Sequence, residues 1–112
     1  MATIAPPAPG KQDFPIDEVT KALVNELLLI AADEAEVRGI VLPGDRPGMM
    51  AAAIPMDSLT VVATLVVVEK HLGFELKESI VRTGGYDSVK AALDHLVPRI
   101  QVAWGMHKAK KA

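Results

Sequence analysis

MDSLTVVATLVVVEKHLG, residues 56 to 73, is the stretch of sequence that decides the fold. Its interior is rich in valine and threonine, which favour strands, so a strand is the first alternative to consider. The stretch is about four helical turns long, however, and that is long for a strand. It opens with two good N-cap residues, Asp57 and Ser58, and it closes with Gly73, a typical helix stop. We therefore predict a helix.

Helical spacing also predicts which side of this helix faces the protein core. Lys70 and His71 lie in the last turn, where positive charge suits the helix dipole. The apolar residues are so numerous that we expect the helix to be buried along most of its surface. The predicted buried face comprises Leu59, Val62, Leu65, Val66 and Leu72, and Val61 and Val68 widen it.

Ser58 is the residue of this stretch that carries chemistry. In the first turn of a helix, a serine hydroxyl is exposed beside backbone N–H groups that have no partner within the helix. Those N–H groups and the helix dipole would favour a phosphate attached to the hydroxyl. A serine before an apolar run is also commonly just a helix cap. The residues of this turn leave both interpretations open.

Two segments resemble the acyl carrier protein family. Asp57-Ser58-Leu59, the valine-rich run and then EKHLGFEL (residues 69–76) are similar to the family's second helix and the segment after it. The interval from Ser58 through to the end of that segment matches without a gap. Further on, DSVKAALDHL (residues 87–96) resembles the family's last helix. The resemblance covers about half of the chain.

The resemblance implies an all-α fold, a four-helix bundle of the acyl-carrier-protein type with a long first loop and a C-terminal extension. It implies that Ser58 bears a covalent 4′-phosphopantetheine arm, transferred from coenzyme A by a Mg²⁺-dependent phosphopantetheinyl transferase. The arm would hold acyl intermediates as thioesters for fatty-acid, lipid or polyketide-type biosynthesis. Asp57 would then assist the transferase's metal and the placement of the arm, and Leu59 would belong to the partner-docking surface. Acyl-loading, acyl-transferring and condensing enzymes would be the partners.

The chain departs from the family on the outer face of this helix. Family members that serve fatty-acid synthesis carry acidic residues there, whereas this chain has Thr60, Ala63 and Lys70, with Glu69 alone acidic nearby. Fewer negative charges weaken electrostatic steering toward basic partner surfaces. We therefore expect a specialised carrier with dedicated partner enzymes.

Length and composition narrow the protein class. The chain has 112 residues, enough for one domain, and half of them are apolar but only 4% aromatic. It has no cysteine, which excludes disulfides, thiolate metal sites and a cysteine nucleophile. A formal charge of −2 does not favour nucleic-acid or membrane binding, and no apolar run is long enough to span a bilayer. The N-terminus lacks the basic region of a secretory signal. We expect a soluble, cytoplasmic monomer.

The chain divides into three parts. Residues 1–13, rich in proline and alanine, are predicted to form a flexible arm. Residues 14–97 are predicted to form the acyl-carrier-like bundle, and residues 98–112 a C-terminal extension with a basic tail. The first helix starts near Pro15, ends at Gly39 and has room for a break near its middle, at Ala31-Ala32. Its predicted apolar stripe comprises Ile16, Val19, Leu23, Leu27 and Ile30.

Proline and glycine mark the connections between helices. Residues 39–55 contain three prolines and three glycines. This composition predicts a long loop whose apolar residues cover the bundle. Residues 77–82 predict one or two helical turns, ended by Thr83-Gly84-Gly85. The loop residues expected to cover the bundle are Ile40, Val41, Leu42, Met50 and Ile54.

The last predicted helix is capped by Asp87 or Ser88, and Pro98 is expected to end or kink it. Beyond the proline, Trp104 has two interpretations: it closes the end of the bundle, which we favour, or it anchors a partner. The residues predicted to face inward are Val89, Ala92, Leu93 and Leu96.

No residue set predicts catalysis or metal binding. His71, His95 and His107 have no partner at metal-ligand spacing on the same helix. The surroundings of Ser58 and Ser88 do not resemble a nucleophile elbow, so a small hydrolase using Ser58 has the least support. We expect the protein not to be an enzyme. The main alternative to a carrier is a helical interaction module of the same fold that is never modified.

Overall fold

A computed structural model describes the chain from Phe14 to Lys111, with side chains as far as Ala109. The predicted N-terminal arm, residues 1–13, lies outside the described residues. The described part contains four α-helices and no strand, so the all-α prediction is confirmed. No helix in this part has the length and apolar character needed to cross a membrane. The elements are α1 (Ile16–Arg38), α2 (Arg46–Ala51), α3 (Ser58–Leu72), a 3₁₀ turn (Glu78–Ile80) and α4 (Val89–Lys111).

Helix α1 is one continuous helix, without the break considered at Ala31-Ala32. It ends where Gly39 adopts a left-handed conformation with φ of 70°. Three residues of the predicted stripe are buried as expected, but Ile16 is exposed and Ile30 is only partly buried. Small residues on the same side let neighbouring helices approach closely. The buried residues of α1 are Val19, Ala22, Leu23, Val24, Leu27, Ala31 and Ala35.

The segment predicted as one long loop, residues 39–55, contains the short helix α2. Asp45 caps this helix by accepting a hydrogen bond of 2.8 Å from the backbone N–H of Gly48. A proline in its first turn also fits the helical backbone. These local signals outweighed the high glycine and proline content on which the loop prediction relied. The prediction of an uninterrupted loop was therefore wrong.

Only part of the segment's apolar content covers the bundle. Ile54 is fully buried, and Leu42 and Met50 are partly buried against the core. Val41 is 92% exposed and Ile40 is also exposed, so for these two residues the prediction was wrong. Both follow the left-handed turn that ends α1, which directs the chain away from the bundle before α2 brings it back.

Helix α3 confirms the helix prediction for the valine-rich run but corrects its orientation. Leu59 and Val66, predicted to face the core, are 80% and 58% exposed. The true buried face is centred on the residues that were expected only to widen it, because the helix is rotated by part of a turn about its axis. A stretch apolar on nearly all sides gives spacing little power to fix that rotation. The buried residues of α3 are Val61, Thr64, Leu65, Val68 and Leu72.

Helix α4 starts as predicted, with the Ser88 hydroxyl accepting a 3.0 Å hydrogen bond from the N–H of Ala91. It continues through Pro98 to Lys111, so the proline does not end it. Burial of Ile100 and Trp104 beyond the proline offsets the lost backbone hydrogen bond. The four residues predicted to face inward, Val89, Ala92, Leu93 and Leu96, are all buried.

Trp104 packs within the chain, as the favoured interpretation predicted. Its side chain is 7% exposed, and its ring meets that of Phe14 edge-on at 6.0 Å between centroids. The Nζ of Lys108 lies 4.4 Å from the centre of the same ring. Val102, two residues earlier and on the other side of α4, is exposed. The extension thus contributes one face of α4 to the core.

The helices are arranged around α1. Both α3 and α4 pack against it, and α2 and the 3₁₀ turn pack against α4. Arg99 of α4 fixes the 3₁₀ turn by donating from Nε to the carbonyl oxygen of Ile80, at 3.0 Å. The core between these helices is aliphatic, with Tyr86 and Trp104 as its large aromatic side chains. This packing fixes the position of both ends of α3.

Candidate functional site

The candidate site is the N-terminus of α3. Asp57 is its N-cap, and the carboxylate accepts a hydrogen bond of 2.8 Å from the backbone N–H of Thr60. The backbone hydrogen bond from Thr60, then that residue's side chain and the N–H of Leu59, lower the pKa of Asp57 below its ordinary value. The carboxylate is exposed and ionised at neutral pH.

Ser58 is the first residue of α3 and is partly buried rather than fully exposed. Its neighbour Leu59 is strongly exposed, which is the orientation that a docking residue needs. The N–H groups of Ser58 and Leu59 precede the first intrahelical hydrogen bond, which runs from Val61 to Asp57 at 3.1 Å. A phosphate group on Ser58 would thus lie beside N–H groups that no carbonyl of α3 engages.

The residue before the motif is fixed by the backbone of a distant segment. Met56 and Tyr86 form an isolated antiparallel pair, in which the Met56 N–H donates to the Tyr86 carbonyl at 2.8 Å. The Tyr86 N–H donates in return to the Met56 carbonyl at 2.9 Å. Met56 is also buried. The start of α3 is therefore tied to the chain that leads into α4.

Gly85 is the residue that permits this pairing. Its φ of +83° lies in the region that side chains disfavour. A Cβ atom on Gly85 would overlap the carbonyl oxygen of Met56 and would lie 2.9 Å from Cα of Asp57. Gly84, with φ of +90°, has open space around the same position. The two glycines look alike in sequence, but only Gly85 touches the motif.

Tyr86 anchors the pairing from inside the protein. Its side chain is 2% exposed, and its hydroxyl accepts a 2.9 Å hydrogen bond from the backbone N–H of Arg82. The hydroxyl also lies 2.6 Å from Nδ1 of His95 on α4. Arg82 closes the turn, with Nε donating to the carbonyl of Gly85 at 3.0 Å and its guanidinium 4.8 Å from the centre of the tyrosine ring.

The structure separates the three histidines by role. His95 belongs to the network beside the site, and its pKa is lowered by burial first, and then by the charges of Arg99 and Arg82. His71 is exposed at the other end of α3. His107 stacks on Phe74, with 4.1 Å between ring centroids. In the part of the chain that the structure describes, no three acidic or histidine side chains converge to hold a metal ion.

The outer face of α3 is an exposed stripe that begins at the site. It contains Leu59, Thr60, Ala63, Val66 and Lys70, all exposed. The three positions where the chain departs from the resembling family are among them. The stripe carries no charge from Leu59 to Val66, and Lys70 adds a positive charge near the C-terminal end of α3. Its surface therefore offers contact area rather than charge to whatever binds beside Ser58.

Sequence reasoning found the three motif residues but missed the three that support them, Gly85, Tyr86 and His95. The Gly-Gly pair was interpreted as a turn, which is correct but incomplete. One signal in the sequence could have indicated a structural role for this turn. The only tyrosine of the chain directly follows the double glycine. The pairing with Met56 joins residues thirty positions apart, and no local pattern encodes it.

Comparisons with protein-family models, with curated proteins and with solved structures gave no match for this chain.

Proposed function

We propose that this chain is an acyl carrier protein of the four-helix-bundle type, in which Ser58 bears a covalent 4′-phosphopantetheine arm. The observation that supports this best is the coincidence of motif and helix start. Asp57-Ser58-Leu59 stands at the first turn of a helix, with the aspartate as cap, the serine at position one and the leucine exposed. The arm, when attached, supplies a terminal thiol that carries acyl groups as thioesters.

The residues around Ser58 fit the attachment of a phosphodiester. The hydroxyl oxygen of Ser58 would form the new bond to phosphorus, and the bond to the nucleotide part of coenzyme A would break. The serine proton would pass to a base on the transferase. Asp57 is ionised and exposed, so its carboxylate is available to the transferase's Mg²⁺. The helix N-terminus would favour the phosphate charge.

The proposed partners are a phosphopantetheinyl transferase and enzymes that load, transfer or condense acyl groups. The protein would act as their substrate in the cytoplasm, as a monomer and without catalytic residues or nucleic-acid binding of its own. The exposed stripe on α3 supports this role, because it borders Ser58 and leaves room for a second protein.

Mass spectrometry tests the proposal directly. Incubation with coenzyme A, Mg²⁺ and a promiscuous transferase should add one phosphopantetheine to the wild type, and Ser58→Ala should abolish the addition. Ser88→Ala is the matched control, since Ser88 caps α4 as a serine outside the motif, and it should be modified like the wild type. An adduct on Ser58→Ala contradicts the assignment. So does an unmodified wild type in a reaction that modifies an established carrier protein.

An unmodified interaction module is the second candidate, and the exposure of Leu59 and Val66 is the observation that favours it. Such a module would use the same stripe without any chemistry at Ser58. The two candidates differ in the mass experiment, because only a carrier gains the arm. Ser58→Ala would leave the partner binding of a pure docking module unchanged.

Partner choice gives a second test of the carrier proposal. With no acidic residue at positions 60, 63 and 70, the wild type should serve general fatty-acid synthesis enzymes poorly. Ala63→Glu with Lys70→Glu should raise kcat/KM with those enzymes several-fold at low ionic strength, and added salt should reduce the gain. Gln101→Glu, an exposed change on α4, is the charge-matched control for Ala63→Glu alone. Efficient reaction of the wild type at physiological salt would show that its partners are not specialised.

A further inference from the structure

We infer that Tyr86 and His95 are positioning residues for Ser58. Their side-chain hydrogen bond holds the Met56–Tyr86 backbone pair, and with it the first turn of α3, in the place from which Ser58 is presented to a transferase. The inference rests on the proposed function of Ser58. Neither residue touches Ser58, so each acts through the backbone of Met56.

The first link joins α4 to the segment before it. The Tyr86 oxygen accepts from the N–H of Arg82 at 2.9 Å, and it lies 2.6 Å from Nδ1 of His95. As part of this inference, we assign the hydroxyl proton of Tyr86 to a hydrogen bond with Nδ1. Neutral His95 then carries its ring proton on Nε2. This assignment makes His95 the acceptor and Tyr86 the donor.

The second link joins Tyr86 to the motif. Both backbone hydrogen bonds of the pair are made by Tyr86 itself, at 2.8 and 2.9 Å to Met56. Gly85 adds the close approach to Met56 and Asp57, which leaves no space for the two segments to slide. Any displacement of the Tyr86 ring is therefore transmitted to a backbone two residues from Ser58.

The position of this hydrogen bond distinguishes it from ordinary surface pairs. Among the described residues, the other hydrogen-bonded side-chain pairs are Glu34–Arg38 and Lys90–Asp94, each exposed and within a single helix. The Tyr86–His95 pair is partly buried and joins two elements that are separate in the fold. Phenylalanine would fill nearly the same space as Tyr86. Tyr86→Phe therefore removes the directional hydrogen bond and keeps the packing of the ring.

The arrangement requires a neutral histidine. The groups that face His95 are Arg99 on its own helix, and Arg82 and Tyr86 from the segment before it. Burial and the two arginine charges lower its pKa, so the neutral form is complete above the ordinary histidine pKa of about 6.5. As the pH falls through the lowered pKa, Nδ1 gains a proton and becomes a donor. The Tyr86 hydroxyl then loses its acceptor and must turn its proton elsewhere, so the geometry of the network behind Met56 changes.

Amide hydrogen exchange on the unmodified protein tests the inference. Tyr86→Phe and His95→Leu should lower the protection of the Met56 and Tyr86 amides roughly three- to tenfold. His95→Asn should keep it, because the Asn oxygen stands close to the place of Nδ1 and accepts the same proton. The internal reference is the Leu76 amide, which Glu69 holds at the other end of α3, and it should not change. An equal loss of protection at the Leu76 amide would show that the Tyr86–His95 pair only stabilises the whole fold. That result would overturn the inference.

A pH titration followed by NMR adds a signature that packing alone does not give. In the wild type, the amide shifts of residues 56–60 should follow the protonation of His95, and His71→Asn should leave this coupling intact. In Tyr86→Phe and His95→Asn the coupling should vanish. Amide shifts that follow His95 as strongly in Tyr86→Phe as in the wild type would overturn the inference.

The transfer reaction separates this inference from the proposed function. With coenzyme A and a promiscuous transferase, kcat/KM should fall three- to tenfold in Tyr86→Phe and in His95→Leu, and His95→Asn should restore it. Transfer that proceeds equally in all variants overturns the positioning role and leaves the carrier proposal intact. Absence of transfer to the wild type overturns the carrier proposal instead, and the exchange pattern then decides whether the pair holds the start of α3.

Discussion

The two ends of α3 are held by different kinds of interaction. At the Ser58 end, defined here as Met56 to Ser58 with Gly85 and Tyr86, directional hydrogen bonds fix the backbone. At the far end, defined here as residues 72–76 with residues 103–107 of α4, the chain turns at Gly73 and packs mainly through rings, with Phe74 stacked on His107. One hydrogen bond, from the Leu76 N–H to Glu69 at 2.8 Å, adds to this packing. An open apolar cavity of about 260 Å³ lies beside this end, between Phe74, Ile80 and Met106.

The two kinds of interaction differ in how tightly they fix the position of the backbone. Hydrogen bonds between backbones fix position to a fraction of an ångström, because they depend steeply on distance and angle. Apolar and aromatic contacts tolerate sliding and supply most of the stability. The far end contributes mainly to the free energy of unfolding, whereas the Ser58 end adds a fixed backbone geometry to the burial of Met56 and Tyr86. Substitutions at the two ends should therefore separate stability from placement.

The largest effect is expected at the far end, from Trp104→Ala. Removing a side chain that is almost fully buried against Phe14 should lower the free energy of unfolding by about 3–5 kcal/mol. Urea unfolding measures this loss. Val102→Ala, an exposed change on the same helix, should cost well under about 1 kcal/mol. In the folded fraction of Trp104→Ala, the NMR shifts of the Asp57 and Ser58 amides should stay close to those of the wild type. Large shifts there would show that the two ends are not independent.

The next effect is expected from Gly85→Ala, at the Ser58 end. The new methyl group would overlap the Met56 carbonyl in a backbone conformation that side chains disfavour, and we expect a loss of about 3 kcal/mol. Gly84→Ala is the matched control, since its φ is also positive but its surroundings are open, and it should cost about 1–2 kcal/mol.

The two glycine variants should also differ in their effect on the position of the backbone at Ser58. Gly85→Ala should shift the amide signals of Asp57 and Ser58 and slow transfer to Ser58 more than its stability loss explains. Gly84→Ala should leave both unchanged. Equal behaviour of the two variants in both measurements would mean that the Met56 contact has no part in placing the site.

The smallest effect is expected from the cap itself. The folded-state pKa of Asp57 is lowered by the N–H of Thr60, so its contribution to stability is present above the ordinary aspartate pKa of about 3.9. That contribution is lost as the pH falls toward the lowered value. Asp57→Ala should reduce the Tm at pH 7 by a few degrees, and the reduction should shrink in acid. Asp57→Asn, which keeps an accepting oxygen but loses the charge, should retain only part of this contribution to the Tm at pH 7. A loss from Asp57→Ala that is equally large below pH 3 would contradict the role of the charge.

Local signals in the sequence predicted where the long helices begin, but they did not predict which side of α3 faces the core. The caps at Asp57 and Ser88 and the stop at Gly73 are decided by neighbouring residues, and all three are observed. The buried face of α3 was predicted wrongly, because a run with valine on every side carries no contrast between core and surface. The helix α2 was missed because proline and glycine were counted as a class, although the first-turn proline favours a helix start.

The sequence by itself determined the three long helices of this protein and one motif that places Ser58 at a helix start. Only the tertiary structure decided what holds that motif, because Gly85 and Tyr86, with His95 behind them, come from a segment that begins almost thirty positions further along the chain. It also decided that α4 passes through Pro98, since burial of Ile100 and Trp104 compensates for the lost hydrogen bond. Caps and stops depend on neighbours within a few residues, whereas rotation, pairing and burial depend on surfaces that meet only when the chain has folded.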